Sequence, residues 1–168
     1  YQRRVRVSLE LLQNAILQLI MNKSGLTQQE VDSATEGEIK NGCLFLKKQE
    51  YEPKAFQNRK DFKFVIAKNL KSVSSRLFYN SSLQLAFMPE VESIADSAFY
   101  NCPLTAICFL KVKRIDNYAF HDCGKLIQVF LPICEELGEY CFWNCENIKI
   151  LNLPQVKSVG NWLFWGCK

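Results

Sequence analysis

Cysteine, histidine and paired carboxylates are the side chains of this sequence that could do chemistry. The 168 residues include 8 cysteines and 1 histidine, a composition that suggests a zinc site or a disulfide framework. Zinc is disfavoured because the sequence has no Cys-x-x-Cys pair and a single histidine. Glu135 and Glu136 are adjacent on a predicted turn, which is a poor arrangement for paired acid–base catalysis. The sequence therefore predicts no metal, no cofactor and no catalytic residue.

The cysteines and the histidine instead belong to a repeating pattern. Four cysteines stand three residues after a recurring phenylalanine, namely Cys102, Cys123, Cys145 and Cys167. We interpret the cysteines as buried free thiols that pack as small apolar side chains. Disulfides between the first two or between the last two members of this column are the alternative, because stacked strands bring such residues within reach. Free thiols favour a reducing compartment, and so the cytoplasm over the cell surface.

The repeat has a period of 21 or 22 residues. Its most regular column is a phenylalanine, found at Phe56, Phe78, Phe99, Phe120, Phe142 and Phe164. Apolar residues recur 16, 13, 11, 8 and 5 residues before each of the last five. The two-residue spacing is typical of a short strand, and the three-residue spacings of a tight, 3₁₀-like return. Because one unit cannot bury its own apolar edge, the units are expected to stack into a continuous core.

Two segments of the repeat region carry a family resemblance. Residues 88–102 read MPEVESIADSAFYNC and residues 131–145 read LPICEELGEYCFWNC. Both resemble BspA-type leucine-rich repeats, whose unit is similar to L-x-x-I-x-L-P-x-V-x-x-I-x-x-x-A-F-x-x-C. The resemblance covers residues 60–168 and implies a curved parallel-sheet solenoid with a binding or adhesive role, as in bacterial surface proteins and proteins of anaerobic protists. Ser81, in place of Cys, and Leu110, in place of Pro, depart from the pattern.

An N-terminal segment precedes the repeats. Apolar residues from Val5 to Ile20 recur close to helical spacing, and Thr27 followed by Glu30 fits a capping box for a second helix over residues 27–35. A helix-turn-helix is the alternative, but no basic recognition helix follows. The predicted fold is an α/β repeat solenoid, with a helical cap over residues 1–40 and leucine-rich repeats over 41–168, five clear and one degenerate. Because the chain opens on Tyr1 and stops in mid-repeat, we interpret it as part of a longer protein.

The charge pattern argues against a nucleic-acid partner. The formal net charge is only +4. One turn column alternates in sign from repeat to repeat, through Lys71, Glu92, Lys113, Glu135 and Lys157. Alternating charges on neighbouring turns compensate each other and leave no continuous basic stripe for a phosphate backbone. No apolar run approaches the roughly 20 residues needed to span a bilayer.

The strand positions that point away from the core are unusually apolar, and we call the surface they form the concave face. It comprises Phe64, Ile66, Leu85, Phe87, Ala106, Cys108, Gln128, Phe130, Ile150 and Asn152. A sheet with one solvated face usually alternates apolar and polar residues, so this pattern indicates that something covers the concave face. The cover is either another part of the chain, such as the N-terminal helices, or a protein partner.

We predict that a protein partner binds the concave face. The predicted contacts are Phe64, Ile66, Leu85, Phe87, Cys108, Phe130 and Ile150. Phe87→Asp and Phe130→Asp are expected to abolish binding and leave the thermal melt nearly unchanged; Ile66 is the third expected anchor. The predicted function is a protein-interaction scaffold without a small-molecule substrate. A surface adhesin for a host or matrix glycoprotein and a recruiting module of an enzyme are the alternatives.

Overall fold

Two helices open the fold. The computed structural model describes residues 2–168, with side chains from residue 9 onward, so the side chain of Val5 lies outside the described residues. Helix α1 spans Gln2–Ser24 and α2 spans Gln28–Ser33. The capping box is confirmed, because the Glu30 N–H donates to Thr27 Oγ1 at 3.2 Å and the Thr27 N–H donates to Glu30 Oε2 at 2.9 Å. The second helix therefore begins where the sequence predicts and ends two residues earlier.

Twelve short strands follow in the described part of the chain. They are β1 (Ile39–Lys40), β2 (Cys43–Phe45), β3 (Phe64–Ile66), β4 (Ser72–Val73), β5 (Leu85–Phe87), β6 (Ser93–Ile94), β7 (Ala106–Cys108), β8 (Arg114–Ile115), β9 (Gln128–Phe130), β10 (Glu136–Leu137), β11 (Ile150–Asn152) and β12 (Ser158–Val159). Each repeat contributes one three-residue strand at its period-2 positions, and from β4 onward a two-residue strand at the return.

The strands stack in parallel along two sides of a solenoid. On one side, β2, β3 and β5 form a parallel sheet with β1 antiparallel at its edge, and β7, β9 and β11 form a second parallel sheet. On the other side, β4, β6, β8, β10 and β12 pair in that order. Equivalent positions are in register, as Phe64 pairs with Leu85 and Gln128 with Ile150. The predicted leucine-rich-repeat solenoid is confirmed.

The phenylalanine column forms the centre of the core. Consecutive rings from Phe56 to Phe164 stack with centroids 5.2 to 5.6 Å apart. The rings of Phe78, Phe99, Phe120 and Phe142 are fully buried. Stacked aromatic pairs add about 0.5–1.5 kcal/mol each to the free energy of burying their area. The column therefore ties each repeat to its neighbours, as the periodicity predicts.

The alternating turn charges pair only in part as the sequence predicts. Lys157 Nζ lies 2.9 Å from Glu135 Oε2, which is the expected pair. Lys71 Nζ instead lies 3.0 Å from Glu90 Oε2, which also accepts from Lys111 Nζ at 2.7 Å. Lys71 pairs with Glu90 and not with Glu92, because long exposed side chains can reach residues outside their own column. Such exposed pairs contribute about 0–1 kcal/mol each.

Helix α1 lies on the concave face, and not on the end of the solenoid where a cap was expected. It packs against β5 and forms one apolar cluster with side chains of β2, β3, β5 and β7. Strand β1 is the edge strand of the first sheet and forms a hairpin with β2. The predicted boundary between the helical cap and the repeats, at residues 40/41, falls inside this hairpin. Between residues 2 and 168, neither helix is long and apolar enough to cross a membrane.

Candidate functional site

The first part of the concave face is a packed interface with α1, and we call it the covered half. Its side chains are Phe64, Ile66, Leu85, Phe87 and Cys108, and Phe45 of β2 extends the same cluster. Helical spacing places Ile16 and Ile20 on the side of α1 that meets them, and Ile20 is fully buried. At the border of this half, Gln13 Nε2 donates to the backbone carbonyl of Cys108 at 3.5 Å. The helix thus fills the surface that the strands leave apolar.

The remainder of the concave face, on β9 and β11, is the open half, formed by Gln128, Phe130, Ile150 and Asn152. Phe130 is half-buried against the edge of the α1 cluster, and Ile150 is 43% exposed. Gln128 and Asn152 place carboxamides beside these two apolar side chains. Apolar anchors among hydrogen-bonding groups are typical of protein interfaces.

The predicted contact residues divide between the two halves. Five of them retain between 1% and 6% exposure, namely Phe64, Ile66, Leu85, Phe87 and Cys108. The physical reason is α1, so the alternative of a cover from within the chain holds for this half. With α1 in place we expect Phe87→Asp to lower the melting temperature instead of leaving it unchanged, because the new carboxylate would be buried without a partner. The role of these five residues in partner binding remains a prediction that requires α1 to leave.

A signal for the covered half was present in the sequence. Both outward positions are apolar in the repeats of β3 and β5, whereas Gln128 on β9 and Asn152 on β11 make one of the two polar in the later repeats. This restriction to neighbouring repeats matches a single helix with one apolar stripe. A partner that bound the whole array would need the pattern in every repeat.

The cysteine column is structural. Its thiols donate to the carbonyls of Phe78, Phe99, Phe120 and Phe142 at 3.0 to 3.2 Å. All eight cysteines are free thiols, and seven of them are buried. Burial raises the pKa of Cys102 to about 11. Because the reactive species is the thiolate, these thiols are poor nucleophiles at neutral pH.

His121 is one ring of an aromatic stack. Its ring lies parallel to those of Tyr100 and Trp143, with centroids 4.7 and 5.9 Å away. Its Nδ1 is 3.1 Å from Asp122 Oδ2. The stack continues outward to Tyr79 and Trp165. The histidine therefore replaces a tyrosine or tryptophan of the repeat, as its place in the sequence indicates.

Comparisons with known proteins agree with this geometry. Residues 49–168 match the BspA type Leucine rich repeat region in six copies. A crystal structure of a leucine-rich repeat protein from T. pallidum superimposes with a TM-score of 0.62 at 19% identity, over 75% of this chain and 76% of that chain. At this identity the likeness concerns the fold alone. Among curated proteins, none matches the chain.

Proposed function

The chain belongs to the BspA-type leucine-rich repeat family, and we propose that it is a protein-interaction scaffold whose partner binds the open half of the concave face. The observation that supports this most is Ile150, an aliphatic side chain on the outward side of the edge strand β11 with 43% of its surface exposed. Phe130 lies on the neighbouring strand, in register with Asn152. Together these side chains offer a partner an apolar contact flanked by amides.

Helix α1 sets the limits of this surface. Its apolar stripe occupies the covered half, so a partner meets β9, β11 and the outer side of the helix. That outer side carries Leu11 and Leu19, which are 64% and 41% exposed. Contacts with Phe64, Ile66, Leu85, Phe87 and Cys108 belong to the proposal only for a state in which α1 has left the sheet.

The proposal is tested by affinity capture with three forms of the full chain: wild type, Ile150→Asp and Ile133→Asp. Ile133 is a matched control because it is 38% exposed and follows strand β9 outside the concave face. We expect proteins captured by wild type and Ile133→Asp to be lost with Ile150→Asp, as quantified by mass spectrometry. Equal capture by all three forms would exclude the open half as the contact surface.

A further inference from the structure

A ladder of hydrogen-bonded amides runs beside the aromatic stack. Each repeat has two residues in the left-handed backbone conformation, and the second of the two, with φ between 52° and 61°, is an asparagine or aspartate in five repeats, namely Asn58, Asn80, Asn101, Asp122 and Asn144. Asparagine and aspartate adopt this conformation more readily than most residues. Asn80 Nδ2 donates to Asn58 Oδ1 at 2.9 Å, and Asn101 Nδ2 donates to Asn80 Oδ1 at 2.8 Å. Asn80 thus donates to the repeat before it and accepts from the repeat after it.

The ladder breaks between Asn101 and Asp122. Asp122 Oδ1 accepts from Asn144 Nδ2 at 2.9 Å, so the later part of the ladder is intact. A carboxylate has no N–H to donate to Asn101 Oδ1, so no ladder hydrogen bond can run from Asp122 to Asn101. Two side chains with oxygen acceptors therefore occupy neighbouring rungs, in repeats whose strands are about 4.8 Å apart.

The carboxylate at this break lies beside the aromatic stack. His121 Nδ1 lies 3.1 Å from Asp122 Oδ2. The pKa of Tyr100 is raised to about 12, first by burial and then by the charge of Asp122 and a hydrogen bond to it. The hydrogen bond from Asn144 thus anchors one oxygen of Asp122 to the ladder, beside the rings of the stack.

A cleft of about 580 Å³ opens over the break, lined by both Asn101 and Asp122. It lies where the repeat changes length. One residue, Pro103, separates the column cysteine from the next leucine in the shorter repeat, whereas Gly124 and Lys125 fill that place in the next repeat. All three line the cleft, so the step from a short to a longer loop makes room beside the acceptor pair.

We propose that this cleft binds the guanidinium group of an arginine side chain from a partner polypeptide. Guanidinium carries donors only, is permanently charged, and has a planar fork that can reach acceptors on two neighbouring rungs. Divalent cations suit the site less, because they take several carboxylates, whereas the second acidic residue here, Glu146, lies 3.3 Å from Lys168 Nζ. The site shares no residue with the concave face and does not depend on its function.

The test is a titration of the ¹⁵N-labelled full chain with N-acetylarginine methylamide at millimolar concentrations. We expect the side-chain amide signals of Asn101 and Asn144 to shift. The neutral citrulline analogue, the lysine analogue and calcium chloride are expected to leave them in place, and free arginine to act more weakly than the peptide-like compound. No shift, or equal shifts with the lysine analogue or calcium, would overturn the assignment to guanidinium. If free arginine shifted these signals at least as much as the peptide-like compound, the proposal that the arginine comes from a polypeptide would be overturned.

Asp122→Asn is the decisive variant, because its new Nδ2 can donate to Asn101 Oδ1 and complete the ladder. We expect it to abolish the response to the arginine compound and to leave the melting temperature unchanged or higher. Asp116→Asn removes a charge from the same repeat outside the cleft and should respond as wild type. A lower melting temperature for Asp122→Asn would contradict the broken ladder. Asn101→Ala, at an exposed position, should also lose the response; a retained response in either variant would exclude the site.

Discussion

Leu85 and Ile150 occupy the same column of the repeating strand, yet Leu85 is 1% exposed and Ile150 is 43% exposed. Leu85 belongs to the sheet of β2, β3 and β5, on which α1 packs, and Ile150 belongs to the separate sheet of β7, β9 and β11. The repeat determines which way a side chain points. Whether that side chain is core or surface depends on its neighbours, because α1 covers Leu85, whereas Ile150 lies beyond α1 on the edge strand β11, where the inward-facing Leu151 is also 45% exposed.

The strongest test of this difference is Phe87→Asp in the covered half. The carboxylate would replace a ring that is 6% exposed beneath α1, and an unpaired buried charge on top of a lost aromatic contact should cost about 4 kcal/mol or more. Urea denaturation followed by circular dichroism measures the loss. A midpoint close to that of wild type would mean that α1 does not cover this position.

The helix side of the same interface should be nearly as sensitive. Ile20 is fully buried, so Ile20→Ala is expected to lower the free energy of unfolding by about 2–5 kcal/mol, through lost burial and an unfilled cavity. Leu19→Ala is the matched control, since Leu19 is the preceding residue on α1 and is 41% exposed. The same denaturation experiment should find the control within about 0.5 kcal/mol of wild type. Equal effects would show that α1 has no preferred face.

The open half should tolerate charge. Ile150→Asp is expected to change the free energy of unfolding by no more than about 0.5 kcal/mol, as is usual for surface positions. Its melting temperature, measured beside that of Ile133→Asp, is the check. A loss of several kcal/mol would place Ile150 in a core and remove the contrast between the halves.

The smallest expected effect is on the pH dependence of stability, through Glu30 of α2. Lys40, by a hydrogen bond, and then Thr27 hold the pKa of Glu30 at about 2, below its usual 4.5. Because the folded pKa is the lower one, this contribution is present above pH 4.5 and is lost as the pH falls towards 2. Urea midpoints across that range should fall less steeply for Glu30→Gln than for wild type. Identical slopes would mean that the capping box does not titrate with folding.

The stacking of this fold could be predicted from its sequence, and the position of α1 could not. Every repeat meets a copy of its own pattern, so a column such as Phe78, Phe99 and Phe120 has to lie in register whatever else the chain does. A segment present once has no such constraint, and the stripe through Ile16 and Ile20 suits the end of the solenoid as well as its face. The break at Asp122 was invisible for a related reason, since a carboxylate fits the amide column in shape and differs only in lacking a donor.

The covered half also determines which of the predicted contacts a partner can reach. Five of the seven lie under α1, and the two that remain, Phe130 and Ile150, lie on β9 and β11, the strands that the helix leaves open. The five residues under α1 stabilise the monomer, whereas Phe130 and Ile150 are available for binding. The division follows from one helix, 23 residues long, placed across a repeating surface.

Thiol labelling tests the cover most directly, because Cys108 lies on the concave face at the border of α1 and is 4% exposed, whereas Cys167 is only partly buried. The native full chain is exposed to a small thiol reagent at slightly alkaline pH, and the modified peptides are quantified by mass spectrometry over time. If α1 covers the face, Cys167 reacts early, and Cys108 reacts as slowly as the fully buried Cys123. Labelling of Cys108 at the rate of Cys167 would contradict the account.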